Sequence, residues 1–267
     1  MAKPVIALLT DFGTRDYYAA AMKGVALAIC PDASLVDITH DVAPHDVLGG
    51  ALELAAAYRY FPAGTIFLVV IDPGVGSSRR AIAAEAGDFK FVAPDNGVLS
   101  LVFDEIRPRK VVELTDRRYA RPTVSRTFEG RDRFAPAAAW LAKGIDVGAL
   151  GRSAGATERL NVPQPATAED RITGEVLRVD RFGNLITNIT RRAFEQVAAG
   201  SARDALDVRV GAHRIARLVS TYADAPAGEL CALFGSTDNL EIASNGSSAA
   251  RMLDLGRGTG VQVVRLS

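Results

Sequence analysis

The sequence predicts an α/β fold, with an N-terminal α/β domain that has a mainly parallel sheet and a C-terminal small β-barrel domain. In the first half of the 267-residue chain, apolar strand-like runs alternate with helical patterns, which is typical of a layered α/β domain. After about residue 165 the pattern changes to short strand-like runs separated by frequent turns, as in small barrels. We therefore predict two domains, over residues 1–165 and 166–267.

The N-terminal elements follow from hydrophobic periodicity. Short continuous apolar runs predict strands, whereas apolar residues spaced three and four apart predict helices. The run Thr65–Ile71 is a continuous β-type segment, as expected of a strand that is covered on both faces. The predicted strands are Val5–Leu9, Ser34–Ile38, Thr65–Ile71, Ala81–Ala86, Phe89–Ala93 and Lys110–Leu114, and the predicted helices are Tyr18–Ile29, Asp46–Tyr60 and Phe134–Lys143.

Residues 154–171 are rich in Ala, Gly, Pro and Thr and are predicted to form a linker. The segments beyond this linker are short, β-type and bounded by turn residues. The predicted C-terminal strands are Ile172–Val179, Leu185–Ile189, Leu206–Val210, His213–Val219, Leu230–Phe234, Asn239–Ile242 and Val261–Leu266.

Composition excludes several classes of partner. Lys plus Arg and Asp plus Glu are both 31, so the formal net charge is zero and no overall field attracts nucleic acid or anionic lipid. The two cysteines form no CxxC pattern, which argues against a zinc or redox site. No stretch approaches the roughly 20 apolar residues of a membrane helix, and the N-terminal apolar run is too short for a signal peptide. We expect a cytoplasmic protein without a nucleic-acid or membrane partner.

Carboxylates follow two of the predicted N-terminal strands. Asp11 comes after the first strand, and Asp72 comes directly after Thr65–Ile71. Ligands of open α/β sheets collect at the carboxyl ends of strands, so Asp72 is either a ligand-facing acid or a turn residue that bonds its own backbone.

Several common motifs are absent from the chain. The pair Gly74 and Gly76 lacks the third glycine of a dinucleotide fingerprint, and the chain contains neither a P-loop nor an HExxH motif. The one GxSxG match, at residues 151–155, lies at the linker and is interpreted as chance.

Three further segments have both a structural and a functional interpretation. Residues 127–136 alternate acids and bases before a helix, which predicts surface ion pairs at a helix start. Residues 180–188 predict a hairpin turn, or the edge of a ligand site with an aromatic side chain, an amide and a carboxylate. Residues 234–246 by composition are a turn, a strand and another turn.

Seven motifs, taken together with their order along the chain, indicate a protein family much more specifically than any one of them does. They are Thr-Asp-Phe-Gly, Ile-Thr-His-Asp-Val-Ala-Pro, Asp-Pro-Gly-Val-Gly, Ala-Pro-Asp-Asn-Gly, Gly-Arg-Asp-x-Phe-Ala-Pro, Asp-Arg-Phe-Gly-Asn-Leu-Ile-Thr-Asn-Ile and Leu-Glu-Ile-Ala-x-Asn-Gly. With these motifs the chain resembles the S-adenosyl-L-methionine (SAM) hydroxide adenosyltransferases, which are SAM hydrolases that form adenosine and are related to the SAM-dependent fluorinase and chlorinase. The resemblance runs from about Ile6 to about Leu253.

The resemblance implies an N-terminal α/β domain, a C-terminal β-barrel, and a homotrimer that binds SAM between neighbouring subunits. It implies hydrolysis of SAM to adenosine and L-methionine, without a metal or organic cofactor. Asp72 and Arg79 match two members of the catalytic trio, although the sequence leaves open whether Arg79 or Arg80 points into the pocket.

The substrate-binding residues are also carried over from the resemblance. Asp11 matches the acid that holds the ribose hydroxyls, and Asp180 the acid that faces the methionine ammonium. Ser236 matches a serine near the methionine carboxylate. Phe182 and Asn184 match residues on the adenosine side, and Glu241, Asn245 and Gly246 lie on the stretch that meets adenine.

Two positions separate this chain from its relatives. The halogenating relatives have Tyr-Pro-Ala-Thr where this chain has Asp72-Pro-Gly-Val, and a carboxylate there would repel a halide. The hydroxide family usually has histidine where this chain has Glu129. Glu129 could replace that histidine as a base if its surroundings raise its pKa, or it could only pair with Arg79 or Arg131.

The mechanistic hypothesis is that Arg79 favours hydroxide character while Asp72, together with Glu129, orients a water and accepts its proton. Asp11, Asn184 and Ser236 would fix the substrate for in-line attack. The alternative is a SAM- or adenosine-binding protein whose catalysis is weak or lost because of Glu129. Methyl transfer fits poorly, because the glycine-rich loop expected after the first strand is absent.

Overall fold

The computed structural model describes residues 3–199 and 206–266, and its contacts divide the chain into two compact units, Met1–Asn161 and Val162–Ser267. The last residues of the first unit are tied to it by hydrogen bonds. Glu158 N donates to Asp95 Oδ1 at 2.9 Å, and Leu160 N donates to Ser100 Oγ at 2.8 Å. The division by contacts therefore falls a few residues before the domain boundary that composition predicts.

The first unit is built on one seven-stranded sheet in the order β2-β1-β3-β5-β4-β6-β7. Strands β2, β1, β3 and β5 pair in parallel, and β4 runs antiparallel to both of its neighbours. The α/β prediction with a mainly parallel sheet is confirmed. The strands are β1 Val5–Thr10, β2 Ser34–Thr39, β3 Ile66–Val70, β4 Ala81–Ala86, β5 Phe89–Pro94, β6 Pro108–Leu114 and β7 Gly151–Ser153.

Helices cover both faces of this sheet because its central strands are apolar on both faces. Ile6 and Leu8 of β1 belong to one buried cluster, and Ala7 and Leu9, which point the opposite way, belong to another. Helices α1 and α4 contribute to the first cluster, and α2 and α3 to the second. The four helices are α1 Tyr18–Ile29, α2 Val47–Ala57, α3 Ser100–Glu105 and α4 Ala135–Ala142.

The second unit has a barrel-like antiparallel sheet in the order β12-β11-β15-β9-β10-β14-β13, with β8 paired to β9. Its alternating inward side chains form a separate core that includes Val176, Ile189 and Ile242. The predicted C-terminal barrel is confirmed. The strands are β8 Ala166–Thr167, β9 Arg171–Val179, β10 Leu185–Thr190, β11 Leu206–Val210, β12 His213–Ile215, β13 Leu230–Phe234, β14 Asn239–Ser244 and β15 Gly260–Arg265.

Short helices account for most of what the periodicity did not predict. Helices α5 (Arg191–Ala198) and α6 (Ala249–Leu253) lie in the second unit, and each spans too few residues for a clear repeat. A π-helical turn, Gly130–Phe134, precedes α4, so the predicted helix Phe134–Lys143 begins one residue early. Within the described part of the chain, no helix is long and apolar enough to cross a membrane.

A matched pair of glycines tests the packing at the end of the first unit. Gly97 and Gly144 share a φ of +91°, but a Cβ on Gly97 would lie 2.9 Å from Leu160 N, whereas a Cβ on Gly144 would meet nothing within 4 Å. Both changes to alanine incur the left-handed backbone cost of roughly 1–2 kcal/mol. We expect Gly97→Ala to lower the melting temperature by several degrees more than Gly144→Ala, because only Gly97→Ala also displaces residue 160. Equal shifts in thermal unfolding would contradict this account.

Candidate active site

Two of the predicted acids lie at the same edge of the first sheet. Strands β1 and β3 pair in parallel with Thr10 opposite Val70, so the residues that follow the two strands emerge side by side. Asp11 follows β1, and its Oδ2 accepts a hydrogen bond from His45 N at 2.8 Å. Asp72 follows β3 by way of the buried Ile71.

The Asp72 carboxylate is bound by the side chain of Arg79 and not by backbone amides of its own turn. Arg79 Nε lies 2.9 Å from Asp72 Oδ1 and 3.1 Å from Oδ2, and Arg79 Nη2 also donates to Oδ2. The Asp72 side chain is only 6% exposed and that of Arg79 only 11%. This fork-shaped, largely dry ion pair favours the functional interpretation of Asp72 over the turn interpretation.

Glu129 completes a three-residue cluster around the same guanidinium. Arg79 Nη2 donates to Glu129 Oε2, and Arg133 Nη2 lies 3.4 Å from Glu129 Oε1. Burial alone would lower the pKa of Arg79, but hydrogen bonds and charge from Asp72 and Glu129 outweigh it and raise that pKa. The guanidinium carbon also lies 5.2 Å from the centre of the Phe134 ring. Arg79 is therefore a fixed cation held between two carboxylates.

Close packing fixes the two segments that carry these acids. A Cβ on Gly76, where φ is +77°, would lie 2.6 Å from Arg126 O, so the loop after Asp72 lies directly against the segment before Glu129. At Gly130, the first residue of the π-helical turn, a Cβ would approach Met22 Sδ at 3.2 Å. The backbone contact at Gly76 excludes any side chain there, whereas a side chain at Gly130 would require Met22 to shift by a few tenths of an ångström.

Asp132 of the Gly-Arg-Asp motif has a structural role. Its fully buried carboxylate accepts hydrogen bonds from Arg131 Nε at 2.7 Å and from Ser125 N at 2.9 Å. The segment thus combines a functional candidate, Glu129, with a buried ion pair at Asp132 that shapes the turn. The sequence had favoured surface ion pairs here. Arg131 binds Asp132, and Glu129 binds Arg79.

Arg80 is directed elsewhere. Its Nε lies 2.8 Å from Asp95 Oδ2, and its Nη2 lies 2.6 Å from Ala156 O, while its Nη1 donates to Ala154 O. Arg80 therefore ties the end of β5 to the chain after β7. The structure places Arg79, and not Arg80, with Asp72.

Four aromatic side chains that sequence reasoning missed gather beside the Thr-Asp-Phe-Gly turn. Phe12 lies 5.6 Å from Tyr18 and 6.0 Å from Phe128, and Tyr17 stacks on Tyr18 at 4.7 Å between ring centres. Tyr17 remains 63% exposed. Phe12 and Phe128 are adjacent in sequence to Asp11 and Glu129, and that adjacency was the only available signal. Tyr17 and Tyr18 stand at the start of α1 and had no such signal.

The second unit contains a cavity of about 1110 Å³, within the size range of small-molecule sites. Six of the seven substrate-binding candidates in this unit line it, whereas Asn245 does not and donates to Ala225 O at 2.7 Å. The six lining candidates are Asp180, Phe182, Asn184, Ser236, Glu241 and Gly246.

Asp180 organises the hairpin at the cavity edge. Its Oδ1 accepts hydrogen bonds from Phe182 N and Asn184 N, both at 2.9 Å, and its Oδ2 accepts one from Asn184 Nδ2 at 3.0 Å. Gly183 adopts φ +86°, and a Cβ there would lie 2.0 Å from Ser248 Oγ. Phe182 projects from this turn with 78% of its surface exposed. The hairpin and ligand-edge interpretations of this segment are therefore compatible.

Tyr222 is a cavity residue that the sequence did not reveal. Its hydroxyl donates to Glu241 Oε2 at 2.9 Å, and burial together with the adjacent Glu241 raises the pKa of Tyr222 to about 12. Burial also raises the pKa of Glu241, against the lowering effect of the Tyr222 hydrogen bond. Because Tyr222 lies in a three-residue 3₁₀ turn, it has no periodic pattern to identify it.

Comparison with known proteins places this geometry in a family. A (R)-S-adenosyl-L-methionine hydrolase of Salinispora tropica is 40% identical over 265 residues, with 97% of each chain covered. The protein of the same name in Thermus thermophilus is 37% identical over 264 residues, covering 96% of this chain and 98% of the relative.

A solved structure and the family profile agree with these relatives. The crystal structure of an uncharacterized conserved protein from Thermotoga maritima matches with a TM-score of 0.91 and 36% identity, over 97% of this chain and 100% of the other. The profiles of the SAM hydroxide adenosyltransferase N-terminal and C-terminal domains match residues 6–151 and 174–262. The chain therefore belongs to the SAM hydroxide adenosyltransferase family.

Proposed function

We propose that this protein hydrolyses SAM by attack of water on the ribose 5′-carbon, giving adenosine and L-methionine. The observation that carries the proposal is the buried cluster of Asp72, Arg79 and Glu129 in a chain that is 37–40% identical to proteins named SAM hydrolases. We also propose that no metal or organic cofactor takes part, because sulfonium is already a good leaving group.

The reaction needs a positioned nucleophile. The water oxygen forms a bond to the 5′-carbon while the carbon–sulfur bond breaks, and the electron pair of that bond neutralises the sulfonium as the thioether of methionine. The proton released from water passes to a carboxylate, with Asp72 and Glu129 as the two candidates. In-line geometry makes the attack effectively intramolecular.

Arg79 supplies fixed positive charge beside the attacking oxygen. Its guanidinium stays protonated at every working pH, and its fork sets the orientation of the Asp72 carboxylate. Asp72 and Glu129 share the Arg79 guanidinium, and Arg133 also approaches Glu129 at 3.4 Å, so the charges of the four residues balance. The Asp72 carboxylate itself repels a halide anion but not a neutral water, which supports hydrolysis over halogenation.

The remaining candidates hold the substrate. We assign Asp11 to the ribose hydroxyls, and Asn184 and Phe182 to the adenosine side. Ser236 is assigned to the methionine carboxylate and Asp180 to the ammonium end. Four of these five residues line the cavity of the second unit, and Asp11 lies at the sheet edge beside Asp72.

The proposal is tested by incubating purified protein with SAM and measuring adenosine and methionine by chromatography. The neighbouring residues Arg79 and Arg80 provide a matched pair of variants. Arg79→Lys keeps the charge but loses the fork, so we expect kcat/KM to fall roughly 100-fold. Arg80→Lys should lower stability by about 1–3 kcal/mol through lost hydrogen bonds while kcat/KM changes little. Wild-type protein that binds SAM tightly without forming product would instead indicate a binding protein, and equal losses in both variants would remove Arg79 from the mechanism.

Glu129→His tests the departure from the family pattern. An imidazole titrates near neutrality, so we expect turnover near neutral pH to rise by roughly 10-fold. This gain is smaller than the roughly 100- to 10,000-fold effect of a complete general base, because Asp72 is still present as an acceptor. Glu129→Gln, which keeps the shape but cannot take a proton, is the control. Unchanged or lower turnover in the histidine variant would show that Glu129 is a competent partner in its own right.

We further propose that the protein works as a homotrimer that binds SAM between neighbouring subunits. In support, the site candidates are divided between the two units of the chain, and the aromatic residues Tyr17 and Phe182 are highly exposed in the single chain. Sedimentation equilibrium should give about three times the chain mass of 28.3 kDa. Full activity at the mass of one chain would contradict the trimer.

A further inference from the structure

His40 is a buried histidine that the proposed mechanism does not use. Its side chain is only 4% exposed, and it belongs to the Ile-Thr-His-Asp-Val-Ala-Pro motif, to which the proposed function gives no role. His40 Nδ1 lies 2.8 Å from Thr10 Oγ1. Its Nε2 lies 3.1 Å from Asp37 Oδ1, with an angle too bent for a regular hydrogen bond. A hydroxyl and a carboxylate therefore flank the two nitrogens of the ring.

The carboxylate favours one arrangement of the ring proton. Burial would raise the pKa of Asp37, but the hydrogen bond that Lys23 Nζ donates at 2.6 Å and the adjacent His40 outweigh burial and lower that pKa. An ionised carboxylate only accepts hydrogen bonds, so it favours the tautomer of neutral His40 with the proton on Nε2. Nδ1 is then an acceptor, and the Thr10 hydroxyl donates to it.

His40 holds the Thr-Asp-Phe-Gly turn at two points. The Thr10 hydroxyl oxygen accepts a hydrogen bond from Phe12 N at 3.3 Å, and the carbonyl oxygen of His40 accepts one from Gly13 N at 2.7 Å. Thr10 is fully buried, so its hydroxyl serves the turn and not a ligand. Asp11 lies between these contacts, and its backbone is therefore held on both sides by way of His40.

The Asp11 carboxylate has one oxygen held and the other open. Its Oδ2 accepts a hydrogen bond from His45 N at 2.8 Å. His45 adopts a φ of +68°, which is uncommon for a residue other than glycine. Among the described residues, none donates a hydrogen bond to Asp11 Oδ1. The backbone thus fixes the orientation of this carboxylate and leaves an oxygen that can accept from a ligand hydroxyl.

We infer that His40 is a positioning residue for Asp11, acting through the Thr10 hydroxyl and its own carbonyl oxygen, and that it thereby sets the preference of the site for a ribose with free hydroxyls. The inference rests on the proposed function, in which Asp11 holds those hydroxyls. Hydrogen bonds weaken steeply as they bend, so a carboxylate that meets a ribose tolerates little rotation of its turn. Loss of the His40–Thr10 contact should weaken contacts to the ribose and leave contacts to the base.

Two substitutions of His40 separate the roles of its ring nitrogens. Asparagine places an amide where Nδ1 lies, within reach of Thr10, whereas glutamine extends its amide toward Asp37. Calorimetry compares binding of adenosine with binding of 2′,3′-dideoxyadenosine, which lacks both ribose hydroxyls. We expect wild-type protein to prefer adenosine at least about 10-fold, as for a hydrogen bond to a charged group. His40→Gln should reduce this preference to less than about threefold, and His40→Asn should keep it within about twofold of wild type.

Thr10→Val and Thr65→Val form a matched pair that separates positioning from stability. Both side chains are buried in the first unit, and the Thr65 hydroxyl, just before β3, donates to Pro62 O at 2.7 Å. Each substitution removes one buried hydroxyl, so both variants should melt at a lower temperature than wild type. Only Thr10→Val should also reduce the preference for adenosine.

Unchanged preference in His40→Gln and Thr10→Val, or an equal loss of preference in Thr65→Val, would overturn the inference. SAM cleavage by wild-type protein is measured in parallel. Wild-type protein that cleaves SAM but binds both nucleosides equally would overturn the inference alone. Wild-type protein that prefers adenosine as expected but forms no product from SAM would overturn the proposed hydrolysis and not the positioning role of His40.

Discussion

The burial of Arg79 between Asp72 and Glu129 is the interaction on which the candidate site depends. A guanidinium that is largely withdrawn from water has to be paired, because an uncompensated buried charge costs several kcal/mol. The two acids come from different segments, the end of β3 and the turn before α4. Gly76 lets the loop after Asp72 pack against Arg126 O, so the two segments lie close enough to share one cation. Close backbone packing and the need to pair the buried Arg79 charge therefore both favour the Asp72–Arg79–Glu129 cluster.

The acids in the second unit have different hydrogen-bond partners. The hydrogen bonds to Glu241 and Asp180 come from neutral donors, Tyr222 and the Asn184 turn, although arginines line the same cavity, whereas Arg79 binds Asp72 directly. SAM carries two positive charges, on sulfonium and ammonium, and one negative charge, on its carboxylate. On the proposed function, the acids that act on the nucleophile are already paired with arginine, whereas Asp180, whose hydrogen bonds come from neutral donors, is assigned to the ammonium of the ligand.

The sequence predicted the features that depend on local pattern. The apolar run that became β3 placed Asp72 at a strand end, and the composition change after the linker predicted the barrel. The sequence could not predict features that depend on contacts between residues far apart in the chain. Whether Arg79 or Arg80 binds Asp72 depends on where Asp95 lies, and Tyr222 reaches Glu241 from a 3₁₀ turn without periodicity. The resemblance supplied the candidate residues, but the internal hydrogen bonds of Asp180 appeared only in three dimensions.

Glu129 also changes the charge that the cluster presents to its substrate. Compared with a neutral histidine at that position, Glu129 adds one negative charge, which lies beside Arg79 and Arg133. On the proposed function that added charge attracts the sulfonium of bound SAM, yet the sulfonium loses its charge as the carbon–sulfur bond breaks. An interaction that is stronger with the substrate than with the transition state improves binding and not turnover. On the proposed function, Glu129 therefore shifts this enzyme toward tighter SAM binding at the expense of the chemical step.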